Sequence, residues 1–523
     1  MSDILRFERI QRIRTKCAGA AILAVVAAES FAPEAAQARG NIPVLQQITT
    51  LTTGDIEDPR IRMEEGNRIS FVSTGDVMGP GTETANKQVY LYDVDLDQMT
   101  QVTNSVGHDN TQASRPTDLT FASGRPEIIA FVSTDDLDPT MDNSDGNPEI
   151  FLWEHLTGTF HQLTDTLPPV VNGNPFPSDS GKCIAFDSTG DLNTNVGQDA
   201  DKSPPTGFTN PDGSREVFVY ALKTADNYPR DGYFTQASNG PAGTSSWRPV
   251  ISGYWFPRQC QSTAYMSDQD QVGGSRLGQH IYIFNRPSGT IAAMDAPKET
   301  PNGQPDGNYL FPHISGASPF ARGPYVVFAT DTDLWENDST GYNMFRYRVF
   351  HPRQTQYTDI ETGDVERPVI SDGGGAIIFQ SDGEMMNPNK RIKPKGLLPD
   401  GTPLNPDSNR EIFRQKGRRK IFQITESAGC DNAFPSTRDD GTGITWRSTC
   451  DLIPGHNTPG QPQIFLYRML KGKEPLACKN GGGPSCPCET AERCCNEANG
   501  CYIPYQGSVI KPSKKFCLAK GKC

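Results

Sequence analysis

The sequence predicts an all-β protein: a seven-bladed β-propeller of four-stranded antiparallel blades, followed by a small disulfide-rich C-terminal module. A short phrase that returns seven times, a polar-aliphatic-aromatic triplet that returns with it, and an abundance of turn formers point there together. The phrase is a β-run closed by [Ser/Thr]-x-x-[Asp/Glu]. Its copies are Phe71–Asp76, Phe131–Asp136, Phe186–Asp191, Tyr265–Asp270, Phe328–Asp333, Phe379–Glu384 and Trp446–Asp451. Successive copies stand roughly 50 to 80 residues apart, the upper range for a propeller blade carrying loop insertions.

Length and composition agree with a repeat fold. The chain has 523 residues, which repeats accommodate because each unit packs only on its neighbours. Hydrophobic residues make up 35%, beside 50 Gly and 42 Pro, a mix that suits short strands joined by many turns. Net charge is −13, with aspartates spread through loops. Nucleic acid and anionic membrane surfaces are therefore not expected partners, since both attract clustered Lys and Arg.

In chain order the first element is an export leader. Arg9, Arg12, Arg14 and Lys16 precede an apolar stretch from Cys17 to Ala28, and Ala36-Gln37-Ala38 offers a small-x-small cleavage site. Residues 1–38 are expected to be removed, and the apolar stretch is short for a membrane span. The mature chain is then periplasmic or extracellular, without a membrane span. Next comes Gln47-Ile48-Thr49, an isolated copy of the Gln-apolar-Thr ending otherwise seen at Gln101-Val102-Thr103, Gln162-Leu163-Thr164 and Gln423-Ile424-Thr425. It is expected to supply the outermost strand of the last blade, closing the ring and hiding two sheet edges. The alternative for that strand is Lys473 to Ala477.

Each repeat of the propeller, 42–477, divides into four strand-like pieces. The first follows an x-Pro entry, as in Arg248-Pro249, Phe311-Pro312 and Arg367-Pro368, with weaker versions at Pro59, Pro116, Pro175 and Pro435. Proline is tolerated at the first residue of a strand, so each is read as a strand start. The second piece ends in the repeated phrase. The third opens with a polar residue before an apolar-aromatic pair: Gln88, Glu149, Glu216, His280, Asn343, Glu411 and Gln463 hold that place. Period-two alternation puts the polar residue and the aromatic on one sheet face. The fourth piece carries the Gln-apolar-Thr ending.

These phrases resemble the TolB-like (WD40-like) propeller repeat over about residues 55–470. Asn210-Pro211-Asp212-Gly213-Ser214-Arg215-Glu216-Val217-Phe218 and Asn405-Pro406-Asp407-Ser408-Asn409-Arg410-Glu411-Ile412-Phe413 look like its Asn-x-Asp-Gly-Asn-x-Glu-[Ile/Val]-Phe phrase. The chain departs from TolB itself in its count of seven blades rather than six.

The acidic phrase reads as scaffold. A short polar side chain after a strand bonds its own loop in Asx- or ST-type turns, and sevenfold repetition is what a structural turn produces. The polar residue of the third strand is expected to bridge blades by hydrogen bonds. In Asp142-Asn143-Ser144-Asp145-Gly146-Asn147 the start of a calcium loop is visible. The twelfth position of an EF-hand would fall on Trp153, so an EF-hand is excluded. A looser calcium site from Asp142, Asn143, Asp145, Asn147 and Glu149 stays open, and no cofactor is required. His313 lies on a first strand, the innermost of a blade, and is expected to face the central channel.

No Gly-x-Ser-x-Gly elbow and no His-Glu-x-x-His helix occurs. The expected function is therefore binding of a protein or glycan partner. The alternative is a metal-dependent lyase or hydrolase with its site on the propeller axis. Two insertions between second and third strands open at one end of the ring. They run over 193–214, with Asp199, Asp201 and Asp212, and over 384–409, with Lys390, Arg391, Lys393 and Lys395. Insertions on one face of a repeat protein commonly form its binding face.

Of 13 cysteines, Cys17 falls in the leader, and an even number remains for disulfides. Cys430 and Cys450 flank one hairpin and should pair; Cys183 and Cys260 precede equivalent strands and suit a bridge between blades. Cys478, Cys486, Cys488, Cys494, Cys495, Cys501, Cys517 and Cys523 form the module at 478–523, whose pairing the sequence leaves open. So short a segment needs bridges to hold it.

Overall fold

The computed structural model describes residues 42–62, 68–117, 127–192, 209–222, 232–253, 260–273, 278–294, 307–316, 324–331, 341–350, 353–358, 360, 362–384, 405–417, 420–438, 440–457, 460–470, 503–505 and 508–510. The leader, the tail cysteines and most of both insertions lie outside these residues. Regular structure among the described residues is entirely β: seven four-stranded antiparallel sheets and one short hairpin, Ile503–Tyr505 with Ser508–Ile510. The sheets are the seven blades of a propeller, and their first strands surround a common cavity.

Six blades take their strands in chain order. The seventh is completed from the other end of the chain. Ile42–Gln47 pairs antiparallel with Gln463–Leu470, from Ile42 opposite Leu470 to Gln47 opposite Phe465. Gln463 fastens the closure. Its Oε1 accepts from Thr49 Oγ1 at 2.8 Å and Leu51 N at 2.9 Å, and its Nε2 donates to Leu51 O at 2.9 Å. Joining the two chain ends in one blade removes the exposed edges that an open ring would present.

One contact repeats through every blade. The aromatic of the second strand lies directly opposite that of the third, and the rings stack: Phe71 on Tyr90, Phe131 on Phe151, Phe186 on Phe218, Tyr265 on Tyr282, Phe328 on Phe345, Phe379 on Phe413 and Trp446 on Phe465. Their centroids are 5.4 to 6.0 Å apart, and all fourteen side chains are at most 1% exposed. Such pairs contribute about 0.5–1.5 kcal/mol each beyond the area they bury.

The repeated phrase closes its turn as the residue types demand. In six blades the hydroxyl of Ser73, Ser133, Ser188, Ser267, Ser381 or Ser448 accepts the N–H two residues on, at 2.8 to 3.1 Å. The third-strand polar residue pins one blade to the next. Asn110 Nδ2 donates to Gln88 Oε1 at 3.2 Å, Asn172 Nδ2 to Glu149 Oε2 at 3.0 Å, and Asn432 Nδ2 to Glu411 Oε2 at 3.1 Å. These asparagines open the following first strands. Burial pushes the Glu149 carboxyl up to about 7 and that of Glu411 up to about 6, against the hydrogen bonds that favour their charged forms.

Two disulfides join described residues. Cys183–Cys260 links blades three and four, and Cys430–Cys450 links the bend before the first strand of blade seven to the loop after its second.

Candidate functional site

The first strands differ from their sequence reading. Their prolines stand mid-strand rather than at the strand start. Pro59, Pro175, Pro249, Pro312, Pro368 and Pro435 each occupy a bulge, where the register with the second strand slips. In blade two Ala113 stands at the equivalent place, and Pro116 comes three residues later. A bulge leaves one residue out of the ladder, which is why a residue without an N–H fits there.

The residue before each of these positions is left-handed. Asp58, Gln112, Asn174, Arg248, Phe311, Arg367 and Phe434 have φ between 47° and 57°. None is glycine, so each carries strain of about 1 kcal/mol or more. The bulge turns these side chains out of the period-two pattern and onto the axis, where all seven line one cavity of about 530 Å³.

Neighbouring blades hold the displaced backbone. Asn174 N donates to Gln112 Oε1, Arg248 N to Asp187 Oδ2 at 3.1 Å, and Phe434 N to Gln380 Oε1 at 2.8 Å. Asp187 also accepts from Asn174 Nδ2 at 2.7 Å, and Arg215 Nε lies 3.5 Å from its other oxygen. It is fully buried, and burial raises its carboxyl above the usual range despite these cations. Asp187 and Gln380 thus act as positioning residues for the ring.

Arginine and phenylalanine alternate along half of the ring. The Arg248 guanidinium sits 5.3 Å from the Phe311 centroid; that of Arg367 sits 5.5 Å from Phe311 and 4.3 Å from Phe434. Burial lowers both arginines from their ordinary value, and nearby Asp58 supports their charge. Guanidinium stays protonated under any such shift.

His313 lines the same cavity, as its strand position suggested. It is 7% exposed and packs edge-on against Phe176. Its Nδ1 accepts from Ile370 N at 3.4 Å, which places the proton of the neutral ring on Nε2. Burial, with Arg115 and Arg60 nearby, holds it well below the usual histidine range, so the imidazole is neutral at physiological pH.

No protein-family model matches the chain, and no curated protein matches it. Solved structures with a similar chain path include an oligogalacturonate lyase from Vibrio parahaemolyticus, at 9% identity and a TM-score of 0.45, over 82% of this chain and 91% of that one. The β-propeller domain of the Trilobed protease from Pyrococcus furiosus has 9% identity and a TM-score of 0.45, over 82% and 100%. A Pyrococcus horikoshii acylaminoacyl peptidase has 9% identity and a TM-score of 0.44, over 81% of this chain and 53% of its own. At such identities no residue role passes from them to this chain.

Among the described residues the donor set on the cavity wall does not suit a resident transition metal. Among the described residues the cavity wall offers one imidazole, and its carboxylates are engaged: Asp55 with Arg447 at 2.8 Å, Glu57 with Lys87 at 2.7 Å and Asp58 with Arg60 at 2.6 Å. No group of three His, Cys, Asp or Glu placed to hold a metal occurs among the described residues.

The residues considered for calcium build a turn. Asn143 Nδ2 donates to Asn147 O at 3.3 Å, Asn147 Nδ2 to Glu149 Oε1 at 2.9 Å, and Asp142 accepts from Ser144 N at 2.9 Å. Asp145 accepts a long bond from Asn147 N at 3.5 Å. The same asparagine bridge recurs at Asn210 to Ser214 O, Asn405 to Asn409 O and Asn457 to Gln461 O. Recurrence in four blades marks it as the device that enters the third strand.

Of the inserted-loop candidates, Asp212 is described; it accepts from Ser214 N at 3.0 Å and borders a surface depression with Arg215, Trp247 and Asp268. Asp199, Asp201, Lys390, Arg391, Lys393 and Lys395 lie outside the described residues. The insertions are anchored at Ser188, opposite Glu216, and at Ser381, opposite Glu411, and the two serines pair with Asn172 and Val365 at the starts of the first strands. Asp55, Ile56 and Glu57 bring the cavity wall to that same end.

The convergence of Arg248, Phe311, Arg367 and Phe434 on the cavity escaped the sequence reading, which used the first three to mark strand entry. A signal was present: at this position a regular repeat carries Asp, Gln, Asn, Arg, Phe, Arg and Phe.

Proposed function

We propose that this protein is an exported binding propeller that takes part of a protein or glycan partner into the loop-bearing end of its axial channel. One observation carries the reading: seven conformationally strained residues of five different types converge on a single cavity. Strain of this kind persists only where surrounding structure enforces it, and it clusters where ligands are gripped. The strand anchors of both insertions lie at the same end, which suits a binding face. Export is supported by two disulfides, which persist in oxidising compartments. Among the described residues no helix is long and apolar enough to cross a membrane.

The test is to probe peptide and glycan arrays with the mature chain and with a Phe311→Ala/Phe434→Ala variant. Signals given by the native protein should fade in the variant. Signals of equal strength would move the binding site away from the channel.

A further inference from the structure

We propose that the channel ring is a receptor for carboxylate, which Arg248 and Arg367 take up on either side of Phe311. The inference rests on the binding reading above and adds the ligand's chemistry to it.

The first support is a charge left over on the wall. Arg60 is paired with Asp58, Arg447 with Asp55, and Arg115 with Asp179, while Glu57 is taken by Lys87. Cancelling these pairs leaves Arg248 and Arg367, whose guanidinium groups make no ion pair among the described residues. Two cations thus converge in the channel of a chain whose net charge is −13. Asp58, the acid that supports both charges, is already bonded to Arg60, so two half-buried cations share one carboxylate and an anion in the channel offsets that cost.

Geometry supplies the second support. The Arg248 guanidinium lies over one phenyl ring and that of Arg367 over two, and neither donates a hydrogen bond among the described residues, so their N–H groups are available for paired bonds to a carboxylate. Because Phe311 is within 5.5 Å of both, one ligand can reach the two cations across it. The wall's other polar groups are less free to bind. Gln112 accepts from Asn174, Asn174 donates to Asp187, and His313 accepts from Ile370. A volume of about 530 Å³ matches a small molecule or a chain end.

Titration calorimetry on the mature chain tests this with succinate and tricarballylate, against succinamide and putrescine. A tripeptide with a free or an amidated C-terminus forms a second arm. The acids should bind, and the neutral diamide and the diamine should not. Arg248→Gln and Arg367→Gln should each weaken succinate at least tenfold, and the double variant about a hundredfold or more. Arg367→Lys should fall between, since it keeps the charge and loses the fork. Lys416→Gln, on an exposed residue at the far end of blade six, should match the native protein. Melting curves confirm that each variant is folded, and Arg367→Lys serves if a Gln variant is not.

Tripeptide binding that needs the free carboxylate, without succinate binding, would assign the carboxylate to a chain end. Equal heats from succinamide, or acid binding undiminished in the double variant, would overturn the proposal. If array partners depend on Phe311 and Phe434 while no carboxylate binds, the ligand chemistry fails and the binding reading stands. If neither depends on the channel, both fall.

Discussion

Two sevenfold features of this propeller behave in opposite ways. On the second and third strands every blade repeats a buried aromatic pair. On the first strands every blade repeats a left-handed residue, yet the side chain it presents changes from blade to blade. The backbone device is constant in both places. Where the side chain is constant too it fills the blade's own core, and where it varies it lines the axial cavity.

The sharpest way to break that comparison is to truncate one aromatic from each feature. Phe218→Ala removes a fully buried ring and should destabilise the protein by about 3–5 kcal/mol in denaturant unfolding. Phe434→Ala removes a half-buried ring from the cavity wall and should cost only about 1 kcal/mol while impairing binding. Equal costs would mean that the inner ring is core rather than site.

Disulfide removal asks how much the blades depend on tethers beyond this packing. Cys183–Cys260 closes a 77-residue separation and Cys430–Cys450 one of 20. Chain entropy puts them at about 4.5 and about 3.3 kcal/mol, upper values that strain or residual structure reduces. Paired Cys→Ser variants should therefore lower the melting temperature in that order.

A pH titration separates the interblade pins from the stacked rings. The folded-state value of Glu149, about 7, lies above the ordinary 4.5, so folding favours its protonated form. Its contribution is full below about 4.5 and is lost as pH rises towards 7, on the order of 3 kcal/mol at most. Glu411 acts in the same sense up to about 6. The protein should melt higher at pH 5.5 than at pH 8, and Glu149→Gln should flatten that difference. A melting temperature that rises with pH would contradict the assignment.

The smallest effect concerns the repeated turn. Ser73→Ala removes an acceptor for Gly75 N and a donor to Asp55 O, and should cost about 1 kcal/mol with binding unchanged. A loss of binding in this variant would make the phrase part of the site.

Most of the scaffold was legible because its determinants are local. The stacked pairs follow from period-two alternation, and the turns follow from a serine placed two residues before a free N–H. Gln47-Ile48-Thr49 foretold the closure because it was a fourth strand without a blade. The bulge was not legible: Pro249 marks a strand as readily at its start as at its middle, and only the slipped register distinguishes them. His313 was found by strand order alone, whereas Arg248 and Arg367 looked like ordinary residues beside proline.

The sequence by itself determined the number of blades, their strand order, their aromatic core and the turns that join them. Those features depend on neighbours within one repeat. Tertiary structure alone decided what meets on the axis. Asp58 and Phe434 are far apart in the chain, and their convergence requires both a closed ring and a left-handed bulge that turns each side chain inward. A linear pattern records which residues vary; only closure places those variations around one cavity.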